Sequence, residues 1–442
     1  MKIKPLLMVL LTFFWSVHLL MANGYQVNLQ GTRQIGMGNV GIGLWPDATA
    51  VFFNPGGMSY LGSSQIMIGI SPILGGSVFL APSDPANGIY SNAKFRTDNP
   101  VGTPFFAYGV YRPDRDSGIF SKLTFGLGAF TPFGSTVDWE DGWYGQFALE
   151  QIELQSIFVR PTVSWQVTDR LSIGAGVDFI FGSVNLQRAL PVDGPVDSMV
   201  ELDGNADLGV SFSVGAFVKA SDLISFGLTY RHGIDLSVKK GDVTFVAPDG
   251  LVSNNYNPDT YNPSDPSQTF FSGTQFDATL PLPTVVGFGM GVYPTDRLTL
   301  AFDVQYINWS AYKELKFDFT QPVQGSFESV ARRNYEDSWI FNFGGEYEVI
   351  QDRFTARAGF YYDLSPVRDG YITPETPDAN ALGLTAGVTF NFNEHIGVDL
   401  AYLFINKEER HNTVPAGVET SGINGTYKSR AHIPSIAVHY SF

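Results

Sequence analysis

Histidine is the side chain most often used for acid–base chemistry and metal binding near neutral pH, and this sequence contains few. Five follow residue 24: His232, His395, His411, His432 and His439. They lack the spacing of a metal-binding motif, the chain has no Cys, and no G-x-S-x-G nucleophile motif occurs. We therefore predict that the protein is not an enzyme and holds no metal ion or cofactor.

Acidic side chains offer one further candidate for metal chemistry, in the segment 254–267 (NNYNPDTYNPSDPS). Asp259 and Asp265 stand there among many amide and carbonyl oxygens, which are ligands that Ca²⁺ accepts. The segment has no fixed ligand spacing, however, so a solvated loop is the preferred interpretation.

Charged residues also recur within segments that otherwise alternate between apolar and polar positions. They are Arg160, Asp178, Arg231, Asp303, Glu346, Arg357 and Asp399. They share the polar face of their segments, and an unpaired charge in a dry interior would be costly. We expect ion pairs that brace the fold, with direct contact between one Arg and a bound carboxylate as the alternative.

The elements that must position these residues are β-strands. Apolar residues such as Ile173, Val177 and Phe179 alternate with Ser172, Gly176 and Asp178, and a period of two is typical of strands with one apolar face. Fourteen such segments lie near residues 64–80, 104–112, 119–131, 152–167, 170–188, 205–220, 223–237, 275–293, 297–318, 336–348, 353–364, 380–391, 396–406 and 426–442.

The connections between these segments alternate between short and long. Short turns fall at 169, 221–222, 294–296, 351–352 and 393–395, and the others are long and rich in Pro, Asn, Asp, Gly and Ser. Transmembrane β-barrels have short periplasmic turns and long outer loops, and lipid cannot satisfy an open sheet edge. The sequence therefore predicts an all-β fold, a closed antiparallel 14-stranded barrel of the outer membrane with both termini in the periplasm.

The composition agrees with one large sheet rather than several globular domains. The 442 residues include 47 Gly, 36 Phe and 20 Tyr, and 16% of the residues are charged. The formal net charge is −16. Because binding of phosphates needs a basic surface, we expect no nucleic-acid partner.

The chain begins with the pattern of a secretory signal peptide. Lys2 and Lys4 precede an apolar run over residues 6–21, which the small residues of 22–24 follow. We predict a signal peptide over residues 1–24 with cleavage near 22–24. A retained anchor helix is the alternative, but the run is short for a membrane span.

Residues 24–61 do not alternate and are rich in glycine. Their apolar side chains, such as Leu44, Val51 and Phe52, would be poorly placed in open water. A compact plug inside the barrel is therefore favoured over a periplasmic extension. We divide the mature chain into a hatch over residues 25–62 and a barrel over residues 63–442.

Four short motifs of this segment resemble the hatch of FadL/TodX-type transporters of hydrophobic compounds. They are Gly24-Tyr25-Gln26-Val27-Asn28, Gly36-Met37-Gly38-Asn39-Val40-Gly41, Asp47-Ala48 and Phe53-Asn54-Pro55-Gly56. The resemblance implies a fourteen-stranded barrel filled by an N-terminal hatch. It also implies that Asn54, Pro55 and Gly56, where the family has Asn-Pro-Ala, form the gate element around which the hatch moves.

A second resemblance to this family lies in residues 130–150, which are similar to its aromatic outer loop. It implies that five side chains capture the ligand: Phe133, Trp139, Trp143, Tyr144 and Phe147. An interfacial girdle that anchors the barrel is the alternative role for these aromatic residues. Gly126, Gly128, Pro132 and Gly134, in and after the third strand, weaken regular ladder geometry and permit a kink or bulge, and Gly126 and Gly128 are the candidates for its position. The resemblance implies that cargo leaves sideways through such a defect.

The resemblance to this family implies passive uptake of hydrophobic small molecules, above all long-chain fatty acids, with aromatic hydrocarbons as the alternative cargo. The expected surroundings are outer-membrane lipid and lipopolysaccharide. A non-specific porin is the main alternative, because a porin is also a barrel with a polar lumen. An adhesin or surface receptor is a further alternative, which rests on the long loops.

Overall fold

The computed structural model describes residues 24–83, 93–98, 100–114, 118–190, 198–246, 274–323, 326–415, 417 and 420–442. Residues 1–23 of the predicted signal peptide and the acidic segment at 254–267 lie outside these ranges. None of the helices within them is both long and apolar enough to cross a membrane.

Helices are few and short in the described ranges. They are α1 (Thr32–Gly36), α2 (Ala50–Phe53) and the 3-10 helices Pro55–Tyr60, Gly118–Lys122 and Trp309–Ala311. The strands are β1 (Gln65–Ile70), β2 (Leu74–Leu80), β3 (Lys94–Arg96), β4 (Phe105–Tyr111), β5 (Leu123–Phe130), β6 (Gly134–Asp138), β7 (Gln151–Gln166), β8 (Leu171–Ala189), β9 (Met199–Asn205), β10 (Gly209–Lys219), β11 (Ile224–Arg231), β12 (Ile234–Val246), β13 (Thr274–Leu282), β14 (Val285–Thr295), β15 (Leu298–Ile307), β16 (Glu314–Val323), β17 (Ser326–Arg332), β18 (Ser338–Ile350), β19 (Phe354–Asp363), β20 (Ala381–Asn391), β21 (Ile396–Lys407), β22 (Arg410–Asn412) and β23 (Gly425–Ser441).

Fourteen of the described strands form a closed antiparallel ring. Their order is β1, β4, β5, β7, β8, β10, β11, β14, β15, β18, β19, β20, β21 and β23, and β23 pairs with β1. A closed ring leaves no row of unpaired backbone groups facing lipid. The predicted 14-stranded barrel is confirmed.

Side chains of the ring strands alternate between its two surfaces. In β8, Ser172 and Asp178 are buried on the inner side, whereas Val177 and Phe179 are exposed on the outer side. Every second residue of a strand points to the same face of the sheet. The outer face is therefore apolar, as a surface in contact with hydrocarbon must be, and the inner face carries the polar groups.

Four predicted strands are divided in the structure into a ring strand and a second strand, namely 64–80, 223–237, 275–293 and 297–318, whereas the predicted 205–220 corresponds to β10. For example, β11 pairs with β10 and β14, whereas β12 pairs with β9 and β13. Pro72 and Pro283 lie at two of the points where a predicted strand is divided. Proline has no N–H group to donate, so the ladder of hydrogen bonds ends there. The predicted long strands were wrong at these points.

The two ends of the ring differ. Short turns join β7 to β8, β10 to β11, β14 to β15, β18 to β19 and β20 to β21 at one end, which we call the turn end. At the opposite end, the loop end, β9, β12, β13, β16 and β17 continue the sheet in a row that starts at β8. The wall is therefore extended at the loop end.

Candidate functional site

The N-terminal segment, residues 24–61, contacts inward-facing side chains on strands all round the ring. Its hydrogen bonds to wall side chains include Ser59 with Ser164, Gly56 with Ser172, Gly43 with Ser225, Gly41 and Ile42 with Asp303, Gly38 with Asn342 and Thr385, and Thr32 with Ser435. Because these partners stand on all sides of the ring, the N-terminal segment lies inside it. The division into a hatch over residues 25–62 and a barrel over residues 63–442 stays a prediction.

The predicted gate residues Asn54, Pro55 and Gly56 are buried against the inner wall. Asn54 Nδ2 donates to the backbone oxygens of Ile42 at 2.9 Å and Ala216 at 3.0 Å. Asn54 Oδ1 accepts the N–H of Gly56 at 3.1 Å. The structure thus fixes this element to β10 and to the preceding part of the N-terminal segment.

Arg33 of α1 links the N-terminal segment to the wall. Its Nη1 lies 3.1 Å from Asp47 Oδ2, and its Nη2 lies 2.6 Å from Glu346 Oε1 on β18. Glu346 also accepts from Arg357, which in turn pairs with Asp399 at 3.4 Å. Burial lowers the pKa of Arg33, but Glu346 and Asp47 outweigh this effect and raise the pKa above its ordinary value. The expected bracing by interior ion pairs is present here.

A second brace holds α2. Arg160 on β7 forms two parallel hydrogen bonds with Asp178 on β8, at 2.6 and 3.0 Å, and both residues are buried. The same guanidinium donates to the backbone oxygens of Val51 and Phe52 at 3.2 and 3.4 Å. A charge-assisted pair of this geometry is strong, so it fixes the end of α2 to the wall.

The wall is interrupted between β5 and β6, at residues 131–133. Both strands pair with β7, but β4 pairs with β5 and has no pairing with β6 among the described residues. At the interruption, Val27 N donates to Pro132 O at 2.8 Å, and Gly134 N donates to Tyr25 O at 3.0 Å. Residues 25–27 therefore occupy the place of the missing neighbour strand.

Gly126 and Gly128, predicted as the kink, lie in an unbroken part of β5. Gly126 pairs with Val110 and Thr162, and the register with β4 and β7 continues without a shift from there to Phe130. The interruption follows at Pro132, which cannot donate to a ladder because it lacks an N–H group. The interruption therefore lies at Pro132, one of the residues predicted to permit a kink, and a role of Gly126 and Gly128 in lateral exit stays a prediction.

An apolar cavity of about 70 Å³ lies beside Tyr25 toward the loop end. Its lining includes Leu154, Leu236 and Ala278 from the wall. The lining also contains Arg333 and Glu375, which form an ion pair at 3.1 Å.

Within the described residues, Arg333 Nη1 and Glu375 Oε2 are buried without a hydrogen-bond partner. Burial lowers the pKa of Arg333, whereas the Glu375 carboxylate raises it, and the result lies above the ordinary value. The guanidinium is therefore charged and has an unused donor at the edge of an apolar cavity.

A larger cavity of about 460 Å³ adjoins the first, since Leu154 and Glu375 line both. It extends from Gly24 and Lys407 in the interior to Pro104 beside the interruption of the wall. The two cavities lie side by side, one at the apolar lining near Tyr25 and the other at the interrupted wall.

The five predicted capture residues do not form one exposed surface. Trp139 and Trp143 are 2% and 0% exposed and stack on each other with ring centroids 4.3 Å apart. Tyr144 stacks on Phe79, and Phe133 lines the larger cavity. Phe147 is 50% exposed, so it alone among the five offers a large outer surface.

Three residues of the cavity region, Tyr25, Arg333 and Glu375, received no individual role from the sequence. Tyr25 belongs to a motif that resembles the family, but Arg333 and Glu375 lie in connections between strands, where alternation gives no orientation. In the described ranges, no cluster of three or more His, Asp or Glu is arranged to hold a metal ion.

Comparisons with known proteins agree with this architecture. A model of the family described as outer membrane protein transport protein (OMPP1/FadL/TodX) matches residues 16–442. An outer membrane protein of Neisseria meningitidis serogroup B is 25% identical over 476 aligned residues, covering 97% of this chain and 96% of that protein. The long-chain fatty acid transport protein of Salmonella typhi is 22% identical over 323 residues, covering 69% of this chain and 71% of that protein. A FadL homologue of Pseudomonas aeruginosa has a crystal structure similar to this one, with a TM-score of 0.76, 19% identity and coverage of 95% of this chain and 100% of that chain.

The closed ring with its apolar outer surface defines a transmembrane β-barrel of the outer membrane. The chain belongs to the outer membrane protein transport protein family (OMPP1/FadL/TodX). It is a transport channel for hydrophobic compounds and not an enzyme. The resemblance to FadL/TodX-type transporters is confirmed.

Proposed function

We propose that the preferred cargo is a long-chain fatty acid, which crosses the outer membrane passively in three steps. The acyl chain enters through the apolar cavity beside Tyr25 and the larger cavity that adjoins it, residues 25–27 move away from the interrupted wall, and the cargo leaves sideways into lipid. The observation that carries the proposal is the apolar cavity with the buried Arg333 and its ion-pair partner Glu375 at its edge. The orientation with the loop end outside, the termini in the periplasm and contact with lipopolysaccharide is part of the same proposal.

The cavity suits a molecule that is apolar along most of its length and acidic at one end. Burial of apolar surface is worth about 25 cal/mol per Å², which favours capture without an energy source. Arg333 Nη1 has no hydrogen-bond partner in the described part of the chain, and a carboxylate can accept from it. An aromatic hydrocarbon would leave this donor unsatisfied, so fatty acids are preferred over that alternative.

The step that opens the wall involves residues 25–27 rather than Asn54, Pro55 and Gly56. Two backbone hydrogen bonds, at 2.8 and 3.0 Å, close the interruption at residues 132–134. The side chain of Asn54 is held by three hydrogen bonds, which favours a fixed anchor there. Movement of the short bridging piece breaks fewer contacts than movement of the whole N-terminal segment.

Equilibrium binding of hexadecanoate, hexadecan-1-ol and toluene to the purified protein tests the cargo class. We expect hexadecanoate to bind most tightly to the natural chain. The double variant Arg333→Met/Glu375→Leu replaces both charges with apolar groups, so it leaves no unpaired buried charge. It should weaken hexadecanoate binding about 10-fold to 100-fold, which corresponds to the free energy of one hydrogen bond to a charged group. Binding of hexadecan-1-ol should stay unchanged.

The matched control is Arg332→Met/Glu314→Leu, which removes a neighbouring ion pair at the surface, with 46% and 36% of the two side chains exposed. This control should bind all three compounds as the natural chain does. Equal losses for hexadecanoate and hexadecan-1-ol in the cavity variant would contradict recognition of the carboxylate. If the natural chain binds toluene more tightly than hexadecanoate, the proposed fatty-acid cargo is wrong and aromatic hydrocarbons are the cargo.

A further inference from the structure

Two guanidinium groups pack against the ring of Phe52 inside the barrel. The Cζ atom of Arg231 lies 4.5 Å from the ring centroid, and that of Arg160 lies 5.8 Å from it. Asp178 pairs with Arg160 at 2.6 Å. In the part of the chain that the structure describes, no carboxylate forms an ion pair with Arg231, whose Nη2 donates instead to Gln305 Oε1 at 2.9 Å.

The charges of this cluster do not balance. Two guanidinium groups and one carboxylate leave a net charge of +1 among Arg160, Arg231 and Asp178. Asp303, two residues before Gln305, accepts the backbone N–H groups of Gly41 and Ile42 at 2.6 and 2.9 Å. An uncompensated charge inside a protein is costly, so the cluster has an unmet preference for an anion.

The cluster lies directly behind the interrupted wall. A cavity of about 30 Å³ is bounded by Arg160, Arg231, Pro132 and Phe133. Phe133 also lines the cavity of about 460 Å³ that reaches the interruption, so the two spaces adjoin. A cavity of this size holds only a few water molecules, so it has room for a small head group but not for an acyl chain.

We infer that Arg231 is a second binding residue for the carboxylate of the cargo, reached when the acyl chain enters the interrupted wall. This inference rests on the proposed fatty-acid cargo and adds a site to it. Arg333 receives the head group at the first cavity, and Arg231 receives it while the chain passes into lipid. The planar guanidinium fork matches a carboxylate, and Phe52 holds it in place from one side.

Initial rates of uptake into proteoliposomes test this site, with hexadecanoate and hexadecan-1-ol as the two cargoes. Arg231→Gln keeps a hydrogen-bonding side chain but removes the charge. We expect it to lower the rate for hexadecanoate about tenfold and to leave the rate for hexadecan-1-ol unchanged. Arg231→Lys should restore most of the hexadecanoate rate, because it restores the charge. Arg170→Gln, at an exposed Arg of a short turn, is the matched control and should change neither rate.

The outcomes separate this inference from the function on which it rests. A natural chain that carries neither cargo faster than protein-free vesicles would refute the fatty-acid function itself. If the natural chain carries both cargoes and Arg231→Gln slows both equally, Arg231 has only a structural role and the inference is wrong. Unchanged rates in Arg231→Gln would overturn the inference as well, while Arg333 could still recognise the cargo.

Discussion

Close contact between the N-terminal segment and the wall depends on individual glycines. Gly174 on β8 and Gly215 on β10 are paired neighbours on the inner surface of the ring. A Cβ atom at Gly174 would collide with the backbone of Pro55, and one at Gly215 would collide with the side chain of Asn54. The absence of side chains at these two positions allows the backbone of the N-terminal segment to lie directly on the sheet.

Substitution of Gly174 by Ala should therefore destabilise the folded barrel. The new methyl group must displace Pro55, and overpacking of this kind typically costs about 1–3 kcal/mol of unfolding free energy. The measurement is urea unfolding followed by the shift in gel mobility between the folded and unfolded barrel. Gly109→Ala is the control, because a Cβ atom at Gly109 would meet no atom within 4 Å. Equal stability of the two variants would show that Pro55 yields without cost.

At the scale of elements, the interruption between β5 and β6 is the distinctive feature of the wall. A regular strand would continue from Phe130 to Gly134 and pair with a neighbour on each side. Pro132 prevents this, and residues 25–27 supply the missing backbone partners. The same hydrogen bonds that close the wall can be broken without disturbing the ring, since they belong to none of its strand pairs.

A disulfide between residues 26 and 133 should lock the wall shut. Gln26 and Phe133 form an antiparallel bridge, and opposed residues of the non-hydrogen-bonded kind have Cα atoms about 4.5 Å apart, within the range for a disulfide. The chain contains no other Cys, so Gln26→Cys/Phe133→Cys gives one defined crosslink. We expect hexadecanoate uptake to fall to the protein-free rate when oxidised and to recover on reduction.

The two single-Cys variants serve as controls for this lock, and each should transport at the same rate under both conditions. Uptake by the oxidised double variant at the rate of the reduced one would mean that residues 25–27 stay in place during transport. The cargo would then have to use a path other than the interrupted wall.

At the scale of the whole molecule, the N-terminal segment decides between a gated channel and an open porin. Residues 24–61 contact wall strands on all sides and leave cavities of limited volume in the described interior. Ions need a continuous aqueous path, which these contacts obstruct. A porin would instead keep its lumen open.

Conductance in a planar lipid bilayer measures this difference. The full chain should show low conductance, and deletion of residues 26–60 should produce large, persistent conductance, because the ring closes without the N-terminal segment through β1 and β23. The gel-mobility shift of the deletion variant establishes that its barrel has folded. High conductance of the full chain would favour the non-specific porin.

Much of the fold follows from the sequence because strand patterning is local. Alternation with a period of two identifies residues such as Val177 and Asp178 as opposite faces of one strand, and short turns separate neighbouring strands. That pattern gives the number of strands, fourteen, and the apolar outer surface. The ring must also close, because backbone groups that face lipid need hydrogen-bond partners. The interior ion pairs can also be predicted from local patterns, since the alternation places Arg160 and Asp178 at inward-facing positions of adjacent strands.

The site was decided by tertiary structure, because its parts meet only when the ring closes. Tyr25, Arg333 and Glu375 lie hundreds of residues apart or in connections without periodicity, so no local pattern brings them together. Alternation equally cannot distinguish an exposed aromatic from a packed one, and Trp139 and Trp143 proved to be buried against each other. The sequence by itself determined a barrel with a polar interior; packing of the N-terminal segment against distant strands determined where that barrel has cavities and where its wall is interrupted.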